Sequence, residues 1–136
     1  LFGGAGNLSL PLVPKMIKIH CVDVAAPATC HNTIEFHRQA VMPWLINYAA
    51  FQVKGPSPHS VLLDPPREGL GKDLSELHGL FCKIGVDEVV AVGCDPDAWA
   101  RDVGRFIAAG WKLKQIAAFD FFPQTPHIEA VALLVR

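Results

Sequence analysis

Apolar positions along this chain fall into short runs broken by glycine, proline and charged residues. The most regular run is Val89-Val90-Ala91-Val92, followed by Gly93-Cys94-Asp95-Pro96. Small and β-branched residues without polar alternation predict a strand buried on both faces, and Gly93 and Pro96 end its ladder. Similar runs predict strands over 18–24, over 60–63 leading into Asp64-Pro65-Pro66, over 111–119 with Leu113 and Ile116 in the core, and over 130–135. Helical spacing appears over 74–81 with Gly85 as a stop, and over 97–109 with Trp99, Val103, Phe106 and Ile107 on one face and Gly110 just past the end. Residues 28–51 also read as helical, with Ile34, Ala40, Val41, Leu45 and Ala49 as an inward stripe and Asn32 as a cap. Pro43 interrupts that stretch, which predicts two short helices or a kink. Alternating strands and helices predict a mostly parallel sheet covered on both faces. The last two strands, with no helix between them, predict an antiparallel pair at one edge.

A chain of 136 residues is expected to form one domain, residues 1–136. With 51% hydrophobic and 18% charged residues it is charge-poor beside the usual ~25%, so it is expected to meet a partner surface or to be part of a longer protein. The net charge of −1 comes without a block of Lys or Arg, so phosphate-neutralising charge for any nucleic acid must be local or come from another segment. Cys21, Cys30, Cys82 and Cys94 form no CxxC pair, which argues against zinc-ribbon and thioredoxin chemistry and for a reduced, cytoplasmic setting. No run of about 18 apolar residues predicts a membrane span. His20, His31, His37 and His59 lack HxH or HExxH spacing and read as surface or capping residues, not metal ligands.

Candidate chemistry collects at the ends of the predicted strands, the carboxyl edge where open α/β sheets bind ligands. Leu1-Phe2-Gly3-Gly4-Ala5-Gly6-Asn7 is a glycine-rich turn that lets backbone approach a ligand and leaves helix N–H groups free; a tight surface turn has the same composition. Asp23 ends the second strand about 20 residues past those glycines, where an acid can accept hydrogen bonds from ribose hydroxyls. In Leu62-Leu63-Asp64-Pro65-Pro66-Arg67 the two prolines stiffen the turn and hold the Asp64 carboxylate at a strand tip. Arg67 beside it can pair with a carboxylate or phosphate. Cys94 sits where the buried strand opens into a loop, as a small buried hydrophobe or as a nucleophile.

Four stretches resemble one family together. Leu-Phe-Gly-Gly-Ala-Gly-Asn-Leu-Ser-Leu-Pro-Leu at 1–12 resembles its cofactor motif. Leu-Leu-Asp-Pro-Pro-Arg-Glu-Gly at 62–69 resembles its middle motif, and Gly-Cys-Asp-Pro-Asp-Ala-Trp-Ala-Arg-Asp at 93–102 its nucleophile motif. Asp-Phe-Phe-Pro-Gln-Thr-Pro-His-Ile-Glu-Ala-Val at 120–131 resembles its closing motif. The family is the S-adenosylmethionine-dependent RNA (uracil-5-)-methyltransferases, which act on tRNA or 23S rRNA. The resemblance implies an α/β fold of the class I methyltransferase, Rossmann-like doubly wound type, and a C-terminal catalytic domain within a longer protein. It implies Cys94 as nucleophile and Glu129 as base, with Phe2, Gly4, Gly6, Asn7, Asp23 and Asp64 around the cofactor S-adenosylmethionine. Arg67 and Phe122 would face the substrate, Phe121 and Phe122 being either walls for a flipped base or core. It implies RNA as partner, neither DNA nor membrane, and no metal.

Two other readings remain open from the residues. Asp64-Pro65-Pro66 suits polarisation of an exocyclic amine, which would make the protein an amino-methyltransferase with Cys94 a bystander. The chain could also be a non-catalytic methyltransferase-fold fragment that binds cofactor or RNA without turnover.

Overall fold

The computed structural model describes residues 1–16, 18–29, 31–51, 58, 60–121, 123–125 and 128–136. Six strands and three α-helices follow in the order β1 (Ile19–Asp23), β2 (Ile34–Arg38), α1 (Val41–Phe51), β3 (Ser60–Leu63), α2 (Leu74–Ile84), β4 (Glu88–Gly93), α3 (Pro96–Ala108), β5 (Lys112–Phe119) and β6 (Glu129–Val135). Pairs β1–β2 and β3–β4 are parallel, whereas β6 runs antiparallel to both β4 and β5. Hydrogen bonding divides these strands into a pair, β1-β2, and a four-stranded sheet, β3-β4-β6-β5. The first three residues bridge the two. The Leu1 amine donates to the Leu62 carbonyl at 2.6 Å, Asp64 N–H donates to the Leu1 carbonyl at 3.3 Å, and Gly3 N–H donates to the Val22 carbonyl at 3.2 Å. The resulting order, β2-β1-(1–3)-β3-β4-β6-β5, is a doubly wound sheet reversing direction at its N-terminal segment, with the expected antiparallel pair at its edge.

The core lies between the sheet and its helices. Val22, Leu63, Val89, Ala91, Ala132 and Leu134 face Leu45, Leu77, Phe81, Val103 and Phe106. Phe81 and Phe106 stack with ring centroids 6.5 Å apart. α2 ends at Gly85, whose φ of 75° is the left-handed cap a glycine supplies without steric cost. α3 starts under a side-chain cap, the Asp95 carboxylate accepting the Ala98 N–H at 2.8 Å, with Pro96 in its first turn. Among the described residues no helix is long and apolar enough to cross a membrane.

Three expectations are corrected. Residues 34–38, expected to be helical, form β2; in Ile34-Glu35-Phe36-His37-Arg38 the apolar positions alternate with period two, and Ile34 is buried. Asn32 therefore caps no helix, and α1 starts at Val41, with Pro43 in its first turn where no intrahelical bond is lost. Leu113 and Ile116, expected in the core, are 43% and 59% exposed. β5 is an edge strand paired on one side to β6, and its side chains remain in contact with water. Ile107, expected on the inward face of α3, is also exposed, whereas Val103 and Phe106 are buried.

Candidate active site

Cys94 follows the last residue of β4, is half-buried, and precedes the Asp95 cap of α3. The positive end of the α3 dipole thus adjoins the thiol, a field that favours negative charge there. The Asp95 carboxylate is engaged by Ala98 N–H at the same helix end. Glu129, also half-buried, is the first residue of β6. The β4–β6 ladder pairs Val92 with Val131 and Gly93 with Ala130; Cys94 directly follows Gly93 and Glu129 directly precedes Ala130. A thiol and a carboxyl far apart in sequence thereby lie at the same end of one strand pair.

A cleft beside Cys94 is lined by Pro65, Arg67, Gly93, Trp99 and Asp102. Trp99 is locked by its indole N–H donating to the Ala91 carbonyl at 2.9 Å. A Cβ on Gly93 would come within 2.9 Å of the Trp99 Cβ, so glycine is required before Cys94 for this ring to pack. Arg67 is exposed on the turn after Pro66 and contributes to the lining of the cleft.

Three α3 side chains hold that turn. Asp102, buried at 6% exposure, accepts the Leu70 N–H at 2.5 Å. Arg101 donates to the Asp102 carboxylate at 3.1 Å and to the Glu68 carbonyl at 2.7 Å, and Arg105 donates to the Gly71 carbonyl at 2.7 Å. Sequence reasoning missed this clamp. Its trace was present in the Ala-Arg-Asp that ends the nucleophile motif, but charged residues in a helix read by default as a solvated face.

The candidate cofactor residues gather at the point where the sheet order reverses. Phe2 has φ of 57°, rare for an aromatic residue and costing about 1–3 kcal/mol. It packs against the core while the chain turns through Gly4 and Gly6 at φ of 50° and 89°. Asp23 ends β1 with its carboxylate accepting Gly4 N–H at 3.0 Å and Ala25 N–H at 2.7 Å. Each carboxylate oxygen retains a free lone pair. Space above Gly4 is open, whereas Gly6 is pressed on Phe36, 2.9 Å from where a Cβ would sit. Asn7 is exposed on the turn beyond. Asp64 is half-buried; burial pushes its carboxyl above the usual range, the Leu1 amine opposes the shift and the Asp23 charge adds to it. A glycine loop with open space over one residue, flanked by two carboxylates at the tips of the strands on either side, fits a ribose-bearing cofactor with a charged tail.

Phe121 is exposed, not core, and stacks on Phe119 with centroids 5.7 Å apart and planes at 5°. Phe122 lies outside the described residues, as do Cys30 and His59. His20 and His37, treated as unrelated surface residues in sequence, are neighbours: His20 Nδ1 lies 2.9 Å from His37 Nε2.

Residues 48–136, about two thirds of the chain, match a family described as tRNA (Uracil-5-)-methyltransferase. The chain is 35% identical over 144 residues to a protein of Pseudomonas fluorescens named 23S rRNA (uracil(1939)-C(5))-methyltransferase RlmD, covering 98% of this chain and 30% of that protein. It is 31% identical over 143 residues to an uncharacterized RNA methyltransferase of Corynebacterium glutamicum, covering 100% of this chain and 32% of that protein. The crystal structure of Pyrococcus abyssi tRNA (uracil-54, C5)-methyltransferase in complex with S-adenosyl-L-homocysteine superposes with a TM-score of 0.66 at 26% identity, covering 98% of this chain and 32% of that one. The chain thus spans about a third of the length of the relatives it matches.

Proposed function

The chain belongs to the tRNA (uracil-5-)-methyltransferase family, and from that premise we propose that residues 1–136 are the catalytic domain of an enzyme that methylates carbon 5 of a uridine in tRNA or 23S rRNA. S-adenosylmethionine supplies the methyl group as an activated sulfonium. Phe2, Gly4, Gly6 and Asn7 would form the loop that holds it, with Asp23 taking the ribose and Asp64 standing between cofactor and substrate. The observation that supports the reading is the β4–β6 register, whose last pair, Gly93 with Ala130, directly adjoins Cys94 and Glu129.

Carbon 5 of uracil is a weak nucleophile. Addition of the Cys94 thiolate to carbon 6 forms a C–S bond and moves an electron pair toward the ring carbonyl, giving an enolate that is nucleophilic at carbon 5. Carbon 5 then takes the methyl group as the methyl–sulfur bond of the sulfonium breaks, leaving the neutral thioether S-adenosylhomocysteine. Glu129 removes the remaining carbon 5 proton, the electrons re-form the ring double bond, and the C–S bond breaks to release Cys94. Water then takes that proton from Glu129. Arg67, on the rim of the cleft, would contact RNA phosphate, and Phe122 and the exposed Phe119–Phe121 stack would wall the unstacked base.

The test is trapping with RNA containing 5-fluorouridine, whose carbon 5 bears no proton for Glu129 to remove after methylation. The protein expressed from its own gene, given S-adenosylmethionine and this RNA, is expected to form a covalent complex that survives denaturing electrophoresis. Cys94→Ala should form none. Glu129→Gln should accumulate an adduct on ordinary uridine RNA. Methylation of uridine by Cys94→Ala would overturn the assignment.

A further inference from the structure

β1 and β2 carry His20, Glu35 and His37 on one face of their parallel ladder. Register pairs His20 with Glu35 and Val22 with His37. The His20 Nδ1 to His37 Nε2 distance is 2.9 Å. The Glu35 carboxylate reaches both rings, with oxygens 3.6 Å from His20 Nδ1 and 3.8 Å from His37 Nε2. One donor atom from each of the three residues falls within a 4.8 Å group. The rings are fixed by packing: their centroids are 5.2 Å apart, Trp44 of α1 lies 5.0 Å from His37, and Tyr48 lies 5.3 Å from His20. The His20 and His37 side chains are 23% and 17% exposed and that of Glu35 is 50% exposed, so one side of the cluster opens to water.

We propose that His20 Nδ1, His37 Nε2 and a Glu35 carboxylate oxygen bind a divalent transition-metal ion such as Ni²⁺ or Cu²⁺. Two imidazoles and one carboxylate suit these borderline ions better than Mg²⁺ or Ca²⁺, which take oxygen ligands. Water completes the coordination from the open side.

Without metal, one imidazole N–H of the facing pair donates to the other ring's nitrogen. Metal binding needs both facing nitrogens bare, which a tautomer shift through solvent achieves by moving that proton to the ring's far nitrogen, with no net release. Burial keeps both rings neutral at neutral pH, each below the usual histidine range. Lys18 competes, its ammonium 2.8 Å from one Glu35 oxygen. The bound ion would clip β1 to β2 three residues before Asp23, independently of any methyl transfer.

The probe is Ni²⁺, titrated into tag-free protein by calorimetry, with Trp44 fluorescence as the local readout. One ion per chain is expected, quenching Trp44. His20→Asn and His37→Asn should each weaken binding at least about tenfold, since even outer-shell partners of ligands cost that much. The exposed changes Glu35→Gln and Lys18→Met do not threaten folding; the first should weaken binding severalfold and the second tighten it. His78 Nε2 and Cys82 Sγ, 3.6 Å apart, form the competing pair, and Cys82→Ser should leave affinity unchanged. Absence of saturable binding, affinity indifferent to Glu35→Gln, or affinity lost in Cys82→Ser would overturn the proposal.

Discussion

The clamp from α3 onto the turn after Asp64-Pro65-Pro66 turns on Asp102→Ala. In the parent, the Asp102 carboxylate is buried, accepts the Leu70 N–H at 2.5 Å and pairs with Arg101 at 3.1 Å. A hydrogen bond to a charged group contributes about 1.5–3 kcal/mol, and a buried donor left unpaired costs about 1–3 kcal/mol. Leu70 is itself buried, so its N–H has little access to water after truncation. The Arg101 pairing adds little, because that side chain is partly exposed and still donates to the Glu68 carbonyl. These two terms overlap, since both describe one broken bond, and together set the expected loss at about 3 kcal/mol. That is a large share of the ~5–15 kcal/mol a domain has. Asp102→Asn keeps an acceptor at the same place and should lose only about 1 kcal/mol. Urea unfolding at pH 7, followed by far-ultraviolet circular dichroism, reads both values provided the m-value is unchanged. Trypsin supplies a local readout: cleavage after Arg67 should accelerate in Asp102→Ala as the turn loosens. A loss below about 1 kcal/mol in Asp102→Ala, or equal losses in both variants, would refute the reasoning.

Two further outcomes follow from the same region. Gly93→Ala drives a Cβ against the fixed Trp99 ring, 2.8 Å from its Cδ1, and should lower stability by about 1–3 kcal/mol in a thermal melt; unchanged stability would mean that Trp99 yields freely. Asp64→Asn tests the raised carboxyl: burial first, then the Asp23 charge, lifts the folded pKa above the unfolded one against the Leu1 amine. The parent therefore loses stability as pH rises from about 3.9 through the folded value, so the Asn variant should be the more stable at pH 7. Its advantage should shrink on acidification across that window in urea unfolding, and an advantage that grows instead would refute the assignment.

What was legible in the sequence is local. The uninterrupted apolar run of β4, the Asp95-Pro96 start of α3, the Gly85 and Gly110 stops and the proline pair after β3 are each written within a few residues, because periodicity, capping and φ restrictions act at that range. The motifs around Cys94, Asp64 and Glu129 were readable for the same reason: each is a contiguous string at a strand end. β2 differs from the expected helix because its period-two alternation spans only five residues, Ile34 to Arg38, too short to outweigh the helical pattern around it, and its identity as a strand comes from pairing with β1. Leu113 and Ile116 were misplaced because exposure of an edge strand depends on which neighbours the sheet supplies.

The sequence by itself therefore determined the family, the doubly wound arrangement and which side chains carry candidate chemistry. Only the tertiary structure decided which of them meet. The antiparallel pairing of Gly93 with Ala130 brings Cys94 and Glu129 to the same end of one strand pair. The parallel register of β1 and β2 makes one cluster of His20, Glu35 and His37, residues whose linear spacing suggests no ligand set. Arg101, Asp102 and Arg105 become a clamp through backbone groups at 68–71 that folding brings to them. Register is a long-range property, set by burying whole sheet faces against helices at once, and a one-residue slip would reverse every side chain on a strand.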